Sequence, residues 1–208
     1  MPALQNGAKA DHVVMRTRGY LPHLEAERAI YFVTFRLADA LPREFVEQVA
    51  AERKALEKAE RAGTTVATDG ARLSQLRAIL RKAQRELDSG LGRCYLRDGR
   101  IAKTVADAIR HFEGQRYKIL AWCVMPNHVH VVFSPMAGQR LDGILHSWKS
   151  YSAQVATRLL GRSGRFWQRE YFDHLVRNEA SLARIVRYVK ENPEKAGLRN
   201  WPWVGGSL

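Results

Sequence analysis

"LAWCVMPNHVHVVF" covers residues 120–133 and is a long apolar run with one polar insertion, around which the rest of the chain can be placed. His128 and His130 in that insertion are two residues apart, so on a β-strand both side chains point to the same face of the sheet. The apolar residues that alternate with them point to the other face, as in a buried strand. Two imidazoles side by side supply two ligands for a divalent metal ion. Two histidines of a sheet without any ligand role show the same short pattern. Other parts of the chain must therefore decide between a metal site and ordinary sheet residues.

Strands and helices alternate on either side of this stretch. Met125-Pro126-Asn127 predicts a tight connection, because Pro fixes φ and Asn tolerates turn geometry, so the flanking runs 117–124 and 129–133 form a hairpin. The other predicted strands are 30–37 and 166–176, and the predicted helices are 45–61, 71–87, 101–112, 141–160 and 179 to about 191, the last one stopping before Pro193. This order suits an α+β fold, an antiparallel sheet with helices packed on one face.

The length of 208 residues indicates one domain, which we assign to residues 19–208. Residues 1–18 are polar and lack an apolar signal-peptide core, which predicts a disordered lead-in. The two helical stretches within about 45–88 have balanced charge and are joined by a loop. We therefore expect an inserted helical hairpin that projects from the sheet as a solvated element without a catalytic role.

The net charge of +13, from 34 Lys and Arg against 21 Asp and Glu, favours a polyanionic partner. Nucleic acid is the first candidate, with an anionic membrane surface or a merely basic soluble protein as the alternatives. No apolar run approaches the roughly 20 residues of a membrane span, so we expect no membrane partner. Cys94 and Cys123 have neither disulfide-framework nor zinc-site spacing, which predicts a reducing, cytoplasmic location.

The last predicted helix can bring two polar groups together. Tyr188 and Asn192 are four residues apart and share a helical face. An apolar stripe beside them would dock that helix; it consists of Leu182, Ile185, Val186 and Val189. A docked helix would present a phenol and an amide oxygen side by side. In the plainer interpretation, Tyr188 is a packing residue and Asn192 is a helix-end residue before a proline.

Three ordered motifs resemble the REP-associated tyrosine transposases, which are IS200/IS605-like (Y1) members of the HUH superfamily, U being a hydrophobic residue. The motifs are Val-Met-Pro-Asn-His-Val-His at 124–130, Phe-Trp-Gln-Arg-Glu-Tyr-Phe-Asp-His at 166–174 and Tyr-Val-Lys-Glu-Asn-Pro-Glu-Lys-Ala-Gly-Leu at 188–198. The resemblance covers about residues 20–203 and implies a ferredoxin-like fold. The stretch from about 45 to 88 departs from a minimal domain of that family.

The resemblance also implies a set of site residues. His128 and His130 would bind a catalytic Mg²⁺ or Mn²⁺ ion, and Tyr188 would be the nucleophile. Asn192 would complete the metal site at a place where insertion-sequence members use Gln. An enzyme of this kind cleaves and rejoins single-stranded DNA through a 5′-phosphotyrosine intermediate. The metal ion neutralises charge on the phosphate, and the tyrosine oxygen attacks the phosphorus in line.

Several alternatives stay open. Tyr151 is a weaker candidate nucleophile on the helix that carries Trp148 and Lys149, and Tyr171 also competes. The same fold would also suit a catalytically idle nucleic-acid-binding protein. A metal-dependent hydrolase would use His128, His130 and water, and it would cleave without forming a protein–DNA adduct.

A basic segment with interleaved aromatic residues, 139–169, is the predicted DNA surface. Basic groups bind phosphates and aromatic faces stack on unpaired bases. The candidates are Arg140, Trp148, Lys149, Arg158, Arg162, Arg165, Trp167 and Arg169, with Phe166 beside them. The aromatic residues would alternatively belong to the core. The resemblance implies hairpin-forming REP-type repeats as the DNA partner, and we expect a monomer or a homodimer.

Overall fold

The computed structural model describes residues 14–18, 21–25, 29–42 and 89–208, together with several helical positions between 44 and 87. The strands are β1 (Val14–Arg18), β2 (Leu21–Glu25), β3 (Ile30–Arg36), β4 (Tyr117–Val124), β5 (His128–Pro135), β6 (Phe172–Val176) and β7 (Val204–Gly205). The helices are α1 (Gly99–Arg110), α2 (Leu141–Leu159) and α3 (Glu179–Lys195), with a 3₁₀ turn at Tyr95–Arg97. None of the helices within these ranges is long and apolar enough to cross a membrane.

A five-stranded antiparallel sheet in the order β6-β3-β5-β4-β7 forms the centre of the molecule, and β1 and β2 make a separate antiparallel pair. The predicted α+β class is confirmed. The histidine strand, β5, is the middle strand, held by β3 on one side and β4 on the other. The connection 125–127 closes the β4–β5 hairpin as expected, with the Met125 amide donating to the His128 carbonyl at 2.8 Å.

Helices cover both faces of the sheet, which corrects the prediction of helices on one face. α1 and α2 pack over the core that contains Val129, Val131 and Phe133. α3 packs on the opposite face, where Val186 and Val189 join Val132 in a second apolar cluster. The central strands are apolar on both sides, so each face has surface to bury, and α3 buries one of them.

The core under α1 and α2 is closed by a chain of hydrogen bonds between large aromatic residues. Trp148 donates its indole N–H to the Tyr117 hydroxyl at 2.7 Å, and Tyr117 donates to the Ile109 carbonyl at 2.8 Å. Trp167 donates to the Ser152 hydroxyl at 3.0 Å. Each polar atom of these buried rings therefore has a partner, which makes their burial inexpensive.

Several elements differ from the sequence prediction. Val14–Arg18 is a strand, so the disordered lead-in expected for 1–18 is wrong for those five residues. β6 begins at Phe172, where only an isolated Leu37–Trp167 bridge precedes it, and the short β7 was not predicted. α3 continues through the buried Pro193 to Lys195, so the predicted stop before Pro193 is wrong.

Most of the inserted helical hairpin expected at 45–88 lies outside the described residues. The positions that are described at its two ends, 44–51 and 78–87, are helical. Residues 1–13 of the predicted lead-in also lie outside the described part of the chain.

Candidate metal and nucleophile site

The two histidines of β5 face each other in the interior of the molecule. Both side chains are fully buried, and their Nε2 atoms are 2.9 Å apart. The two-residue spacing predicted a shared face, and the structure confirms it. The face is the one covered by α3, because Val132 of the same parity packs against Val186 and Val189.

Asn127 fixes the orientation of the His128 ring. Its side-chain Nδ2 donates to the carbonyls of Leu87 at 3.1 Å and Leu91 at 2.8 Å, so its Oδ1 is the atom that faces His128. That oxygen is an acceptor and lies 2.7 Å from His128 Nδ1, which therefore carries the proton. A neutral His128 consequently presents the lone pair of Nε2 toward His130.

Thr34 of β3 holds the second ring. Its hydroxyl lies 2.8 Å from His130 Nδ1, and the two residues are directly opposite each other in the β3–β5 register. A hydroxyl both donates and accepts, so Thr34 supports either tautomer of His130. Partners of this kind on the far ring nitrogen orient histidines that bind metal ions.

Burial keeps both imidazoles neutral. It lowers the pKa of His130 from 6.5 to about 3. Burial also lowers the pKa of His128 well below 6.5, and the nearby His130 and Arg36 charges add to the effect. Metal ions bind the neutral ring, so the pair stays available as ligands throughout the neutral pH range.

α3 places Tyr188 above this pair. The Tyr188 hydroxyl is 3.5 Å from His130 Nε2, and the ring meets Phe32 edge-on with centroids 6.1 Å apart. Asn178 caps the helix, accepting from the Ser181 amide at 2.9 Å, and the predicted apolar stripe docks it. The phenol predicted from the i, i+4 pattern is thus brought to the histidines.

Asn192 lies one turn further along α3 and is buried. Its side-chain oxygen Oδ1 has no hydrogen-bond partner among the described residues. An unsatisfied buried carbonyl costs about 1–3 kcal/mol, so its retention calls for a ligand.

The residues present fit a divalent cation. Two ligands at right angles, each about 2.1 Å from an ion, are about 3 Å apart, close to the observed Nε2–Nε2 separation. No third His, Cys, Asp or Glu joins the pair within the described ranges, so the residues that could hold an ion are His128, His130 and Asn192. So few protein ligands would leave coordination positions of a bound ion open to water or to a phosphate oxygen.

The competing tyrosines are elsewhere. Tyr151 is exposed on α2 and borders a cleft between α1 and α2, on the face of the sheet away from the histidines. Tyr171 packs over the ammonium of Lys149, 5.7 Å from the ring centre. Of the three tyrosines, Tyr188 is the one that contacts the pair.

The tryptophans of the predicted DNA surface lie in the core, whereas five of its six basic residues are exposed. Trp148 and Trp167 are buried in the core under α2, so stacking of bases on them, which we had expected, is wrong. Their alternating polar neighbours had suggested a surface, whereas the indole N–H groups find partners inside the protein. The exposed basic residues are Arg140, Arg158, Arg162, Arg165 and Arg169.

Three of the predicted basic residues border one cleft. It has a volume of about 590 Å³ and lies between α2 and the segment 164–171, with Lys149, Arg165 and Arg169 in its wall. Lys149 is half-buried and donates to the carbonyls of Gln168 at 2.9 Å and Arg169 at 2.8 Å. Burial lowers its pKa to about 8. Arg140 is paired with Asp142, and Arg162 lies over the Tyr95 ring.

Thr34 and Asn127 were not among the predicted site residues. A signal for Thr34 was present, since it is the one hydroxyl in an otherwise apolar centre of a strand, Val33-Thr34-Phe35. Asn127 had been explained as a turn residue. Its amide is fully buried, and only the carbonyls of Leu87 and Leu91, far away in sequence, show what it does.

Comparison with known proteins agrees with this geometry. Residues 93–192, just under half of the chain, match the family model described as "Transposase IS200 like". A REP-associated tyrosine transposase of Escherichia coli (strain K12) is 29% identical over 91 residues, which span 42% of this chain and 53% of that protein. A Haemophilus influenzae relative named in the same terms is 24% identical over 101 residues, spanning 42% of this chain and 57% of its own length.

Solved structures of similar proteins are more distant. One is a REP-associated tyrosine transposase bound to a REP hairpin, with 15% identity, a TM-score of 0.48 and coverage of 91% of this chain and 80% of that one. A transposase from Deinococcus radiodurans has 13% identity, a TM-score of 0.36 and coverage of 85% and 96%. The chain spans a little over half the length of the two curated relatives. The segment 93–192, which contains both histidines, Tyr188 and Asn192, thus matches the IS200-like transposases, and the resemblance drawn from the three motifs is confirmed.

Proposed function

We propose that the protein is a metal-dependent transesterase of single-stranded DNA that cleaves and rejoins hairpin-forming REP-type repeats. Tyr188 is the nucleophile, and His128, His130 and Asn192 hold the metal ion. The observation that carries the proposal is the position of the Tyr188 hydroxyl, 3.5 Å from His130 Nε2 and one helical turn from the unsatisfied Asn192 oxygen. A phosphate bound at the pair would thus lie beside the phenol.

The reaction is an exchange of phosphate esters. The Tyr188 oxygen forms a bond to phosphorus while the bond from phosphorus to the 3′ oxygen of the preceding nucleotide breaks. The phenol loses its proton, and the departing 3′ oxygen gains one. The products are a 5′-phosphotyrosine and a free 3′-hydroxyl, so a second 3′-hydroxyl can reverse the step without ATP.

The chain supplies orientation for this step, and a bound Mg²⁺ or Mn²⁺ ion would neutralise and orient the phosphate. Tyr188 is held from two sides, by Phe32 at its ring edge and by the docked stripe of α3. Asn127 and Thr34 hold the two imidazoles. Groups positioned before the substrate arrives contribute to catalysis because they need no reorganisation.

The substrate class follows from the charge of the chain and from its relatives. A net charge of +13 favours a polyanion, and the arginines of segment 139–169 are exposed. The E. coli and H. influenzae relatives are named for REP repeats. A cytoplasmic enzyme that acts on DNA as a monomer or homodimer is the corresponding cellular proposal.

Trapping of the covalent intermediate tests this function. The full chain is incubated with Mg²⁺ and single-stranded hairpin DNA from the flanks of its own gene, and the products are resolved on a denaturing gel. We expect a protein–DNA adduct that requires metal and maps by mass spectrometry to the peptide of Tyr188. Tyr188→Phe should form no adduct and still bind the hairpin.

Two matched controls, Tyr151→Phe and Tyr171→Phe, should form the adduct at the normal rate. An adduct on either of those tyrosines would refute the assignment of the nucleophile. Cleavage without any adduct would mean a hydrolase that uses water, and binding without cleavage would mean an idle DNA-binding protein.

A further inference from the structure

Arg36, the last residue of β3, lies beside the histidine pair, and neither the three motifs nor the segment 93–192 includes it. It is directly opposite His128 in the β3–β5 register, as Thr34 is opposite His130. Thr34 reaches His130 on the α3 face of the sheet, and residues two apart on a strand share a face. Arg36 therefore projects on the face that carries the site, next to His128.

The Arg36 guanidinium lies in a largely desolvated environment near the carboxylate of Glu170. Desolvation lowers the pKa of Arg36 to about 10, and the buried Glu170 carboxylate acts in the opposite direction. The guanidinium stays protonated at neutral pH. Its charge adds to the lowering of the pKa of His128 and of Lys149, so the guanidinium is near both the histidine pair and Lys149 in the wall of the basic cleft.

The N–H groups of the Arg36 guanidinium can donate hydrogen bonds to a ligand. Its backbone is fixed, since the Arg36 carbonyl accepts from the Gln168 amide at 2.8 Å. Among the residues that the structure describes, none is hydrogen-bonded to the Arg36 side chain or within ion-pair distance of it. A half-buried cation that is only partly compensated by Glu170 is best matched by an anion with two oxygens, because guanidinium binds phosphate with two parallel hydrogen bonds.

We propose that Arg36 is a further catalytic residue, donating to a non-bridging oxygen of the scissile phosphate from the β3 side of the histidine pair. This inference rests on the proposed function, in which Tyr188 attacks the same phosphate from α3. Charge accumulates on the non-bridging oxygens as the phenol adds, and a fixed cation beside them stabilises that state more than the bound substrate.

The first experiment separates catalysis from binding. Single-turnover cleavage of the hairpin at saturating protein is compared for wild type, Arg36→Ala and Arg36→Lys. We expect Arg36→Ala to lower the rate constant by about 10²–10³-fold, as loss of one transition-state donor does. DNA affinity and Mn²⁺ affinity should change by no more than a few-fold, and Arg36→Lys should recover part of the rate. Arg36→Gln, with thermal melting, guards against loss of folding.

Arg116→Ala is the matched control. Arg116 is also half-buried, donates to Gln139 at 2.8 Å and lies over the Phe112 ring, 5.2 Å from its centre, remote from the histidines. Its replacement removes a partly buried guanidinium without touching the site, so cleavage should proceed at the wild-type rate. An Arg36→Ala rate equal to that of Arg116→Ala would overturn the proposal.

The second experiment places a neutral methylphosphonate at the scissile position. If Arg36 serves the charge of that phosphate, the difference in rate between wild type and Arg36→Ala should shrink to a few-fold on the neutral substrate. A structural role for Arg36 predicts the same rate ratio on both substrates, and that result would refute the contact.

A binding measurement keeps this inference separate from the proposed function. In the Tyr188→Phe background, methylphosphonate is introduced at each phosphate of the hairpin in turn. We expect one position, the cleavage site, where neutralisation weakens binding with Arg36 present and has no further effect with Arg36→Ala. A position other than the cleavage site, or no such position, overturns the proposal even if the adduct forms normally. Absence of the adduct in wild type would instead contradict the assignment of Tyr188.

Discussion

The two faces of β5 are buried to the same extent and carry different chemistry. Under α1 and α2, Val129, Val131 and Phe133 meet only core side chains. Under α3, His128 and His130 meet each other. One strand therefore contributes an apolar core on one side and the donor atoms of a site on the other.

This difference shows how the protein carries a polar site in its interior. The apolar face and the sheet around it supply stability, so the site face can hold groups that are costly by themselves. The Asn192 oxygen without a partner is the clearest example. Each imidazole is compensated at Nδ1 by Asn127 or Thr34, and the two Nε2 atoms face each other.

The largest effect is expected from the site face. His128→Ala or His130→Ala should lower cleavage by about 10³-fold or more, since a missing ligand leaves a poorly held ion and several kcal/mol of transition-state stabilisation are lost. Hairpin binding should largely survive. Cleavage assays measure the rate and gel-shift assays measure hairpin binding, with the exposed His111→Ala as the control. Undiminished cleavage in both variants would exclude the metal site.

The next largest effect concerns the apolar face. Phe133→Ala should reduce the free energy of unfolding by about 3–5 kcal/mol, because it leaves a cavity against Trp148 and Tyr117. Cleavage per folded molecule should stay close to that of wild type. Urea unfolding and cleavage activity, measured on the same sample, test whether the apolar face affects stability without affecting cleavage. An unchanged stability with lost cleavage would mean that the faces are not separable.

Loss of a residue that orients a histidine should have a smaller effect than loss of the histidine itself. Thr34→Val keeps the shape of the side chain and removes the hydroxyl that orients His130, so Mn²⁺ affinity should fall by about 10–100-fold. Thr104→Val on α1 removes a hydroxyl that bonds to the Arg100 carbonyl and serves as the control. Calorimetric Mn²⁺ titration is the measurement. Equal affinity in both variants would show that Thr34 only packs.

Protonation of the pair gives a smaller effect, on stability. The folded-state pKa of each histidine is below 6.5, so the unfolded chain binds more protons as the pH falls. The metal-free protein should lose about 1 kcal/mol per histidine between pH 7 and pH 5.5, with stability present above pH 6.5 and decreasing toward the folded-state pKa. Denaturant unfolding at several pH values tests this. In the double variant H128Q/H130Q, the free energy of unfolding should depend less on pH. An equally steep dependence on pH would contradict the effect of burial on the two histidines.

The smallest effect belongs to the exposed arginines, which lie on neither face. Neutralising Arg162, Arg165 and Arg169 one at a time should each lower the salt dependence of DNA binding by about 0.7 in log–log slope, and by about three times that together. Hairpin affinities measured across a salt series report this slope. An unchanged slope in the triple variant would place the DNA on another surface.

Much of this comparison was accessible from the sequence. Parity along β5 placed both histidines on one face, and the helical spacing of Tyr188 and Asn192 placed them on another element with an apolar stripe. The face of the sheet that α3 covers could not be predicted, since β4 and β5 are apolar on both sides. The sequence left the burial of Trp148 and Trp167 open, because no local pattern identifies the hydrogen-bond partners of their indoles, Tyr117 and Ser152.

The bonds of Asn127 set the kind of sequence change that the site tolerates. The Asn127 amide donates to the main-chain carbonyls of residues 87 and 91, and the side chains of those two residues take no part in these bonds. The exposed Leu91 can therefore be replaced by other residues during evolution without changing the tautomer of His128. Insertion or loss of a single residue between 87 and 91 shifts one carbonyl away from the amide. In this short segment, the site depends on the number of residues and not on the side chain at position 91.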